Sequence, residues 1–166
     1  MKMKTKSWIK EYGPYIAIII IIILVRTFIV TPVRVSGNSM TPTLNDGEIL
    51  VLNKLSGINR YDIVVVSKSV ANEEIIKRVI GLPGDSIEVN NGILYINDEE
   101  VEDIYGSGET NDFKKVFLGK DEYWVMGDNR TVSFDSRSFG KISKKDIKGV
   151  TAFVLFPFNK FGILHN

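Results

Sequence analysis

Residues 15–30 form a nearly unbroken apolar run, YIAIIIIIILVRTFIV, in which Arg26 is the sole charge. Counted from Tyr12, the run is about 19 residues long, enough to cross a bilayer core of roughly 30 Å at about 1.5 Å per residue. A buried core helix fits poorly, because the isoleucine run has no polar face. Pro32 is expected to end the helix. The pattern predicts a single transmembrane anchor over residues 12–31.

The charges before the run predict its orientation. Four lysines precede it, namely Lys2, Lys4, Lys6 and Lys10. The positive-inside rule then makes residues 1–11 a cytoplasmic basic tail and puts the residues after the anchor outside. A cleaved secretory signal is the alternative, but it needs small residues at a cut site, and residues 27–37 contain no Ala-x-Ala. We therefore favour an uncleaved, single-pass anchor in the cytoplasmic membrane, with the lipid bilayer as a partner.

From residue 32 onward, short runs of β-branched and aromatic residues alternate with Gly, Asn, Asp and Pro. These runs predict strands at residues 33–36, 48–52, 62–67, 74–80, 86–89, 93–96, 99–101, 122–126 and 147–155. Asn90-Asn91-Gly92 predicts a tight hairpin, since Asn and Gly tolerate positive φ, and Asn97-Asp98 predicts a second turn. Residues 103–112 predict an acidic surface loop, and residues 143–146 a helical turn. The predicted fold is mainly β, with one all-β extracytoplasmic domain of antiparallel sheets over residues 32–166.

Composition excludes several classes of function. Of the 21 basic and 20 acidic side chains, residues 1–30 hold five and one, which leaves 16 and 19 for the rest of the chain. That part has no basic surface for nucleic acid. The chain has no cysteine, and its single histidine, His165, is next to last, which excludes a cysteine nucleophile and argues against a Ser-His-Asp triad. If the chain is a hydrolase, lysine is the leading candidate for its base. We expect no metal and no cofactor.

The first segment with candidate chemistry is Ser36-Gly37-Asn38-Ser39-Met40-Thr41-Pro42-Thr43-Leu44. Gly37 and Asn38 tolerate unusual backbone angles and Pro42 stiffens the exit, so Ser39 can be presented on a sharp corner. An ordinary serine-rich turn is the alternative interpretation of this segment.

The second segment is Lys77-Arg78-Val79-Ile80-Gly81-Leu82-Pro83-Gly84-Asp85, which follows two isoleucines. In a strand, Lys77 and Arg78 point to opposite faces, so one of the two cations is expected among aliphatic side chains. A neutral lysine base requires a pKa well below the free value of about 10.4, and burial can supply that shift. An edge strand with two solvated cations is the alternative.

The third segment is Gly127-Asp128-Asn129-Arg130, followed by Ser133, Asp135, Ser136 and Arg137. Its position after a strand predicts a turn. Asp135 and Arg137 are nevertheless expected to share a strand face, and Ser133 can orient a neighbouring ammonium or amine by hydrogen bonding.

Together these segments resemble the type I signal peptidases of the peptidase S26 family, membrane-bound serine–lysine proteases that remove signal peptides from exported proteins. The resemblance covers nearly the whole chain, in order: the anchor, Ser39-Met-x-Pro-Thr, Asp46-Gly47-Glu48, Lys77-Arg78-x-x-Gly-x-Pro-Gly-Asp, and Gly127-Asp128-Asn129 with its following polar residues. Each motif alone is weak, whereas four of them at family-like spacing are a strong signal.

The resemblance implies a role for each of these residues. Ser39 is the expected nucleophile and Lys77 the general base, with Ser133 orienting Lys77. The expected supporting residues are Asp135, paired with Arg137 or Arg78, together with Asp128 and Asn129. The backbone N–H of Ser39 is the expected oxyanion donor. Gly37 occupies the position where Gram-negative members have an oxyanion-binding serine, so the chain resembles Gram-positive members and a second donor is unassigned.

The same resemblance implies that the substrates are precursor proteins with signal peptides and small residues at the −1 and −3 positions. An extended peptide is expected to lie between residues 33–36 and 74–76 by β-augmentation. The expected substrate-binding residues are apolar, namely Val33, Val35, Met40, Leu44, Leu50, Ile75 and Ile76. Among the C-terminal aromatics we favour a core position for Phe153, and the others are either core or membrane-dipping.

Two further hypotheses stay open at this point. One is a self-cleaving serine–lysine peptidase of the SOS-repressor type, which the apolar run argues against because such chains have no anchor. The other is a non-catalytic anchored module that binds exported peptides or assembles with a protease, which the presence of both Ser39 and Lys77 argues against.

Overall fold

The computed structural model describes residues 3–164, and among residues 3–10 Trp8 is the one whose side chain it describes. The predicted orientation signal from Lys2, Lys4, Lys6 and Lys10 and the imidazole of His165 therefore lie outside what is described.

One long helix opens the chain. Helix α1 spans Met3–Phe28 and contains Pro14, so it begins nine residues before the predicted start and ends three residues before the predicted end. None of the residues from Glu11 to Phe28 is buried, and this stretch is long and apolar enough to cross a membrane. Pro32 does not end the helix. It lies instead in a strand opposite Val51, because pairing with that strand straightens the chain before the proline is reached.

Twelve strands follow among the described residues. They are β1 (Val30–Arg34), β2 (Ile49–Asn53), β3 (Ile63–Val66), β4 (Ile75–Gly81), β5 (Ser86–Asn90), β6 (Ile93–Ile96), β7 (Glu99–Val101), β8 (Phe113–Phe117), β9 (Glu122–Met126), β10 (Ile142–Ser143), β11 (Ile147–Phe156) and β12 (Gly162–Ile163). Two short helices, α2 (Lys68–Ala71) and α3 (Ser136–Phe139), and two 3-10 turns, Lys144–Asp146 and Phe158–Lys160, complete the described chain.

The strands form two antiparallel sheets. The larger has the order β1-β2-β11-β3-β4-β9-β10, with β12 added beside β11, and the smaller has the order β7-β6-β5-β8. The β5–β6 hairpin turns at Asn91 and Gly92, both with positive φ, as the sequence predicts. Asn97 and Asp98 also have positive φ at the turn into β7.

The predicted first strand is displaced along the chain. It occupies Val30–Arg34 rather than residues 33–36, and residues 35 and 36 begin the loop that leads to Ser39. Strands β8, β10 and β12 and helices α2 and α3 were not predicted. Strand β8 has the sequence FKKVF, which lacks strict alternation, and β10 and β12 have only two residues each.

Strand β4 is buried on both faces from Ile76 to Gly81, since it lies between β3 and β9 in the larger sheet. The sequence predicted burial for one of the two adjacent cations. The structure buries both, Lys77 with 3% of its surface exposed and Arg78 with none. The alternative of an edge strand with solvated cations is therefore wrong.

The C-terminal aromatics divide between partial burial and exposure. Phe153 is half-buried and packs edge-to-face against Phe161, so it is not the fully enclosed core residue that was expected. Phe156, Phe158 and Phe161 are exposed.

Candidate active site

The loop that carries Ser39, residues 36–43 (the nucleophile loop), is held in place by hydrogen bonds to the residues before β2. Gly37 has a positive φ of 80°, and its N–H donates to Asp46 Oδ1 at 2.8 Å. The flanking strand ends are joined as well, because the Val35 N–H donates to the Glu48 carbonyl and the Gly47 N–H to the Val35 carbonyl. These bonds hold the start of the loop against residues 46–48, which lead into β2.

The structure brings Ser39 and Lys77 together. Lys77 lies on β4 opposite Val64 of β3, and its Nζ is 2.6 Å from Ser39 Oγ. The two residues are 38 positions apart in the chain, so the sheet and the nucleophile loop create the contact. A hydroxyl and a buried amine at this distance have the geometry of a nucleophile and its base.

Burial lowers the pKa of Lys77 to about 8. The carboxylates of Asp135, Asp128 and Glu73 oppose the shift, and the Arg137 guanidinium adds to it. The amine is therefore substantially neutral at a pH where a free lysine is almost fully protonated.

Asp135 binds several groups of the segment that follows β9 and leads into α3. It caps α3 and pairs with the Arg137 guanidinium at 2.8 and 2.9 Å, while the Gly127 N–H donates to its Oδ2. Burial alone raises the pKa of Asp135, but the bonds from Arg137 and Gly127 outweigh it and hold the pKa below its usual value. Asp135 and Arg137 meet across a helix start, which corrects the expectation that they share a strand face.

Ser133 does not make the predicted bond to Lys77. Its Oγ is buried and has no partner of good hydrogen-bond geometry within the described chain. It lies beside Gly127, in the space that a Cβ at that glycine would take, and its hydroxyl helps to lower the pKa of Asp135. The orientation of Lys77 therefore comes from the walls of its buried strand and from Ser39.

Arg78, on the opposite face of β4, pairs with Asp128 rather than with Asp135. Its guanidinium donates to both carboxylate oxygens at 2.9 and 2.7 Å, and both side chains are fully buried. Asp128 also accepts from the Thr43 hydroxyl at 2.5 Å. The N–H of the next residue, Asn129, donates to the Ser39 carbonyl at 3.0 Å. Two residues of this turn thus hold the nucleophile loop.

Sequence reasoning missed the roles of Thr43 and Glu73. Thr43 contacts Asp128 across 85 positions, and no local pattern signals that contact. Glu73 lies near Lys77 because α2 turns the chain back before β4, and that short helix has no sequence signature.

A groove with a volume of about 830 Å³ runs past the serine–lysine pair. Five of the predicted substrate-binding residues line it, namely Val33, Val35, Met40, Ile75 and Ile76. Leu44 and Leu50 do not. Both are fully buried in the core behind the nucleophile loop, because the loop folds back over β2. Val132 and Phe134, which are exposed, line the groove and were not predicted.

Gly37 contributes little to an oxyanion site. It has no side chain, a Cβ built there meets nothing within 4 Å, and its N–H is already used by Asp46. The Ser39 N–H stays the predicted donor.

The comparison with known families decides the class of this chain. The family model described as signal peptidase, peptidase S26, matches residues 5–156. The chain belongs to this signal peptidase family. Members of the family are serine endopeptidases, so the protein is an enzyme of that class.

Individual relatives cover almost the full length. Signal peptidase I P of Bacillus subtilis subsp. natto is 41% identical over 173 residues, covering 94% of this chain and 93% of that protein. Signal peptidase I of Streptococcus pneumoniae serotype 4 is 36% identical, with coverage of 95% and 97%. These relatives support signal-peptide cleavage as the reaction.

A solved structure supports the fold. The crystal structure of a signal peptidase I from Enterococcus faecalis V583 superposes with a TM-score of 0.51 at 30% identity, covering 57% of this chain and 97% of that one. The predicted mainly β architecture of antiparallel sheets is confirmed.

Proposed function

We propose that this protein is a membrane-anchored endopeptidase that cleaves signal peptides from exported precursors, with Ser39 as nucleophile and Lys77 as general base. The observation that carries the proposal is the 2.6 Å separation of Lys77 Nζ and Ser39 Oγ at the floor of the groove. The lowered pKa of Lys77 supports it, since a base must be neutral to accept a proton.

In the first half-reaction, neutral Lys77 takes the proton of Ser39 Oγ as that oxygen attacks the scissile carbonyl. The Ser39 N–H stabilises the negative charge that forms on the carbonyl oxygen. Lys77 then gives its proton to the leaving amine of the mature protein, which leaves the signal peptide as an ester on Ser39. In the second half-reaction, Lys77 takes a proton from water as the water oxygen attacks the ester carbonyl. Lys77 then returns that proton to Ser39 Oγ as the ester bond breaks, which frees the signal peptide and restores the neutral amine and the hydroxyl.

The groove fits an extended peptide. Its walls come from the β1 side, with Val33 and Val35, and from the β4 side, with Ile75 and Ile76. Backbone pairing with these two segments holds the peptide, and the shallow apolar walls select small side chains at −1 and −3. Thr31, which lies three residues after the end of the helix, is among the residues that line the groove, so we place the cut close to the membrane surface. We place the domain outside the cytoplasmic membrane on the charge pattern of the sequence.

Two substitutions test the assignment. We expect Ser39→Ala to abolish cleavage of a precursor with an Ala-x-Ala site, and Lys77→Met to do the same, because each removes one partner of the proton transfer. Ser56→Ala and Lys120→Met, at exposed positions, serve as matched controls and are expected to cleave at the normal rate. Precursor processing by the full chain in detergent micelles measures all four. Near-normal cleavage by either site variant contradicts the serine–lysine pair.

A further inference from the structure

A loop of the smaller sheet is fastened to the back of the active site. Residues 103–108 (the docking loop) follow β7, and residues 127–130 (the catalytic turn) follow β9. Ser107 and Asn129 form an isolated parallel β-bridge. The Ser107 N–H donates to the Asp128 carbonyl at 2.7 Å, and the Arg130 N–H donates to the Ser107 carbonyl at 2.9 Å. The two segments therefore share main-chain hydrogen bonds.

An ion pair reinforces this bridge. Asp103 of the docking loop binds Arg130 of the catalytic turn through both oxygens, at 2.5 and 2.8 Å. The Arg130 side chain is fully buried, so Asp103 supplies the charge that its guanidinium requires. Two parallel contacts fix the orientation of the Arg130 guanidinium relative to Asp103 as well as the distance between them.

An aromatic contact connects the docking loop to the second buried arginine. The Tyr105 ring lies over the Arg78 guanidinium, with 3.8 Å from Arg78 Cζ to the ring centroid. Arg78 holds both oxygens of Asp128. Cation–π attraction is strongest where water is excluded, and Arg78 has no exposed surface. Tyr105 also packs against Tyr61, at 5.2 Å between ring centroids.

The catalytic turn also contacts the nucleophile loop. Asp128 accepts from Thr43, and the Asn129 N–H donates to the Ser39 carbonyl. The same two residues thus contact the nucleophile loop on one side and the docking loop on the other.

We propose that the docking loop is a positioning element for catalysis, in which Tyr105 and Asp103 hold the catalytic turn and so set the place of Ser39 relative to Lys77. The proposal rests on the proposed function. Within the described chain, no residue of the docking loop lines the groove, so the loop acts through the turn and not on the substrate. Tyr105 and Asp103 are positioning residues, which reach the reacting atoms only through other side chains and the turn.

This arrangement predicts a specific kinetic signature. A misplacement of about 1 Å can cost about 10²-fold in rate while substrate contacts persist. We expect Tyr105→Leu to lower kcat about tenfold and to leave KM within about twofold, because the groove walls are unchanged. Tyr105→Phe keeps the ring over Arg78, so its kcat is expected to be near normal. Asp103→Asn removes the charge at constant shape, and we expect kcat to fall several-fold at unchanged KM.

The test uses the full chain in detergent micelles and a peptide with an Ala-x-Ala site, at a temperature well below the unfolding midpoint of every variant. Ile104→Ala is the matched control, because Ile104 lies in the same loop with its side chain exposed. Loss of kcat in Tyr105→Leu, with rescue in Tyr105→Phe and normal rates in Ile104→Ala, supports the proposal. A normal kcat in both Tyr105→Leu and Asp103→Asn overturns it, as does a loss that matches the unfolded fraction.

The same assay separates this proposal from the one on which it rests. If Ser39→Ala is inactive and both Tyr105→Leu and Asp103→Asn are normal, the docking loop has no positioning role and the serine assignment stands. If Ser39→Ala retains activity, the proposed function fails whatever the docking-loop variants do.

Discussion

At the scale of single residues, the electrostatics of Lys77 are a balance between burial and three carboxylates. Burial favours the neutral amine, while Asp135, Asp128 and Glu73 favour the charged one, and the net result is a pKa of about 8. Asp128 and Asp135 are each neutralised by their own arginine, which limits how strongly they hold a proton on Lys77. The arginine pairs thus favour the neutral amine that the proposed mechanism requires.

This balance predicts the pH dependence of the reaction. In the proposed mechanism the active form of Lys77 is deprotonated, so kcat is expected to rise with pH through about 8 and to fall about tenfold per unit below about pH 7. Glu73→Gln removes a carboxylate that raises the pKa, so its profile should shift to lower pH. Single-turnover rates between about pH 5 and about pH 10 measure both profiles. A rate that is flat down to about pH 5 argues against a lysine base, and an unshifted Glu73→Gln profile argues against the influence of Glu73.

Which residues the sequence revealed depends on how local their signal is. Ser39, Lys77 and Asp128 lie in short motifs that resemble a family, so they were found before any geometry was known. Thr43 and Tyr105 take their roles from partners 85 and 27 positions away, and only the folded sheets define those contacts. Leu44 and Leu50 show the reverse case, since apolar residues beside a nucleophile suggest a pocket but here fill the core.

At the scale of elements, the catalytic turn depends on a glycine with no space around it. A Cβ at Gly127 would lie 2.5 Å from the Ser39 carbonyl oxygen and would overlap Ser133 Oγ. The glycine therefore permits β9 to pass directly behind the nucleophile. Strand β4 is also tightly enclosed. Both of its faces are buried, and each face holds one cation, Lys77 or Arg78. The sequence shows which residues of a strand share a face, but it does not show that both faces are covered by other parts of the protein.

We expect Gly127→Ala to lower both stability and activity. The added methyl group must displace the Ser39 carbonyl as well as the Ser133 side chain, and overpacking of this kind costs about 1–3 kcal/mol. Since one of the displaced atoms belongs to Ser39, the proposed nucleophile, kcat should fall more than about tenfold, as about 1 Å of misplacement can cost about 10²-fold. Gly57→Ala is the matched control, because Gly57 is exposed and the methyl group that it would gain meets nothing within 4 Å. Thermal unfolding and peptide cleavage measure both variants, and equal behaviour of the two would contradict the crowding at Gly127.

At the scale of the whole molecule, the helix leads directly into the strand that lines the groove. Ile29 alone separates α1 from β1, and its N–H donates to the Val25 carbonyl as a last helical bond. Lys54 Nζ donates to the Thr27 carbonyl at 2.8 Å, and the Thr31 hydroxyl donates to the Arg26 carbonyl at 3.0 Å. A cation at a helix C-terminus stabilises the free carbonyl groups there. The joint therefore ties the helix end to the domain with side-chain bonds as well as the chain itself.

Removal of residues 1–28 tests whether the helix contributes to the reaction by membrane anchoring or by supporting the groove. Among the residues that the structure describes, none from Glu11 to Phe28 is buried, so we expect the truncated chain to keep its core and to cleave a short soluble peptide within about threefold of the normal rate. A precursor held in the same vesicle membrane should be cleaved at least about tenfold more slowly, because the anchor no longer raises the local concentration of enzyme. The full chain in identical vesicles is the control. Equal processing of the embedded precursor by both forms would show that anchoring contributes nothing to the rate. Loss of cleavage of the short peptide would show instead that the contacts of Lys54 and Thr31 with the helix end support the groove. Strand β1 connects them, because it follows the helix end and also lines the groove.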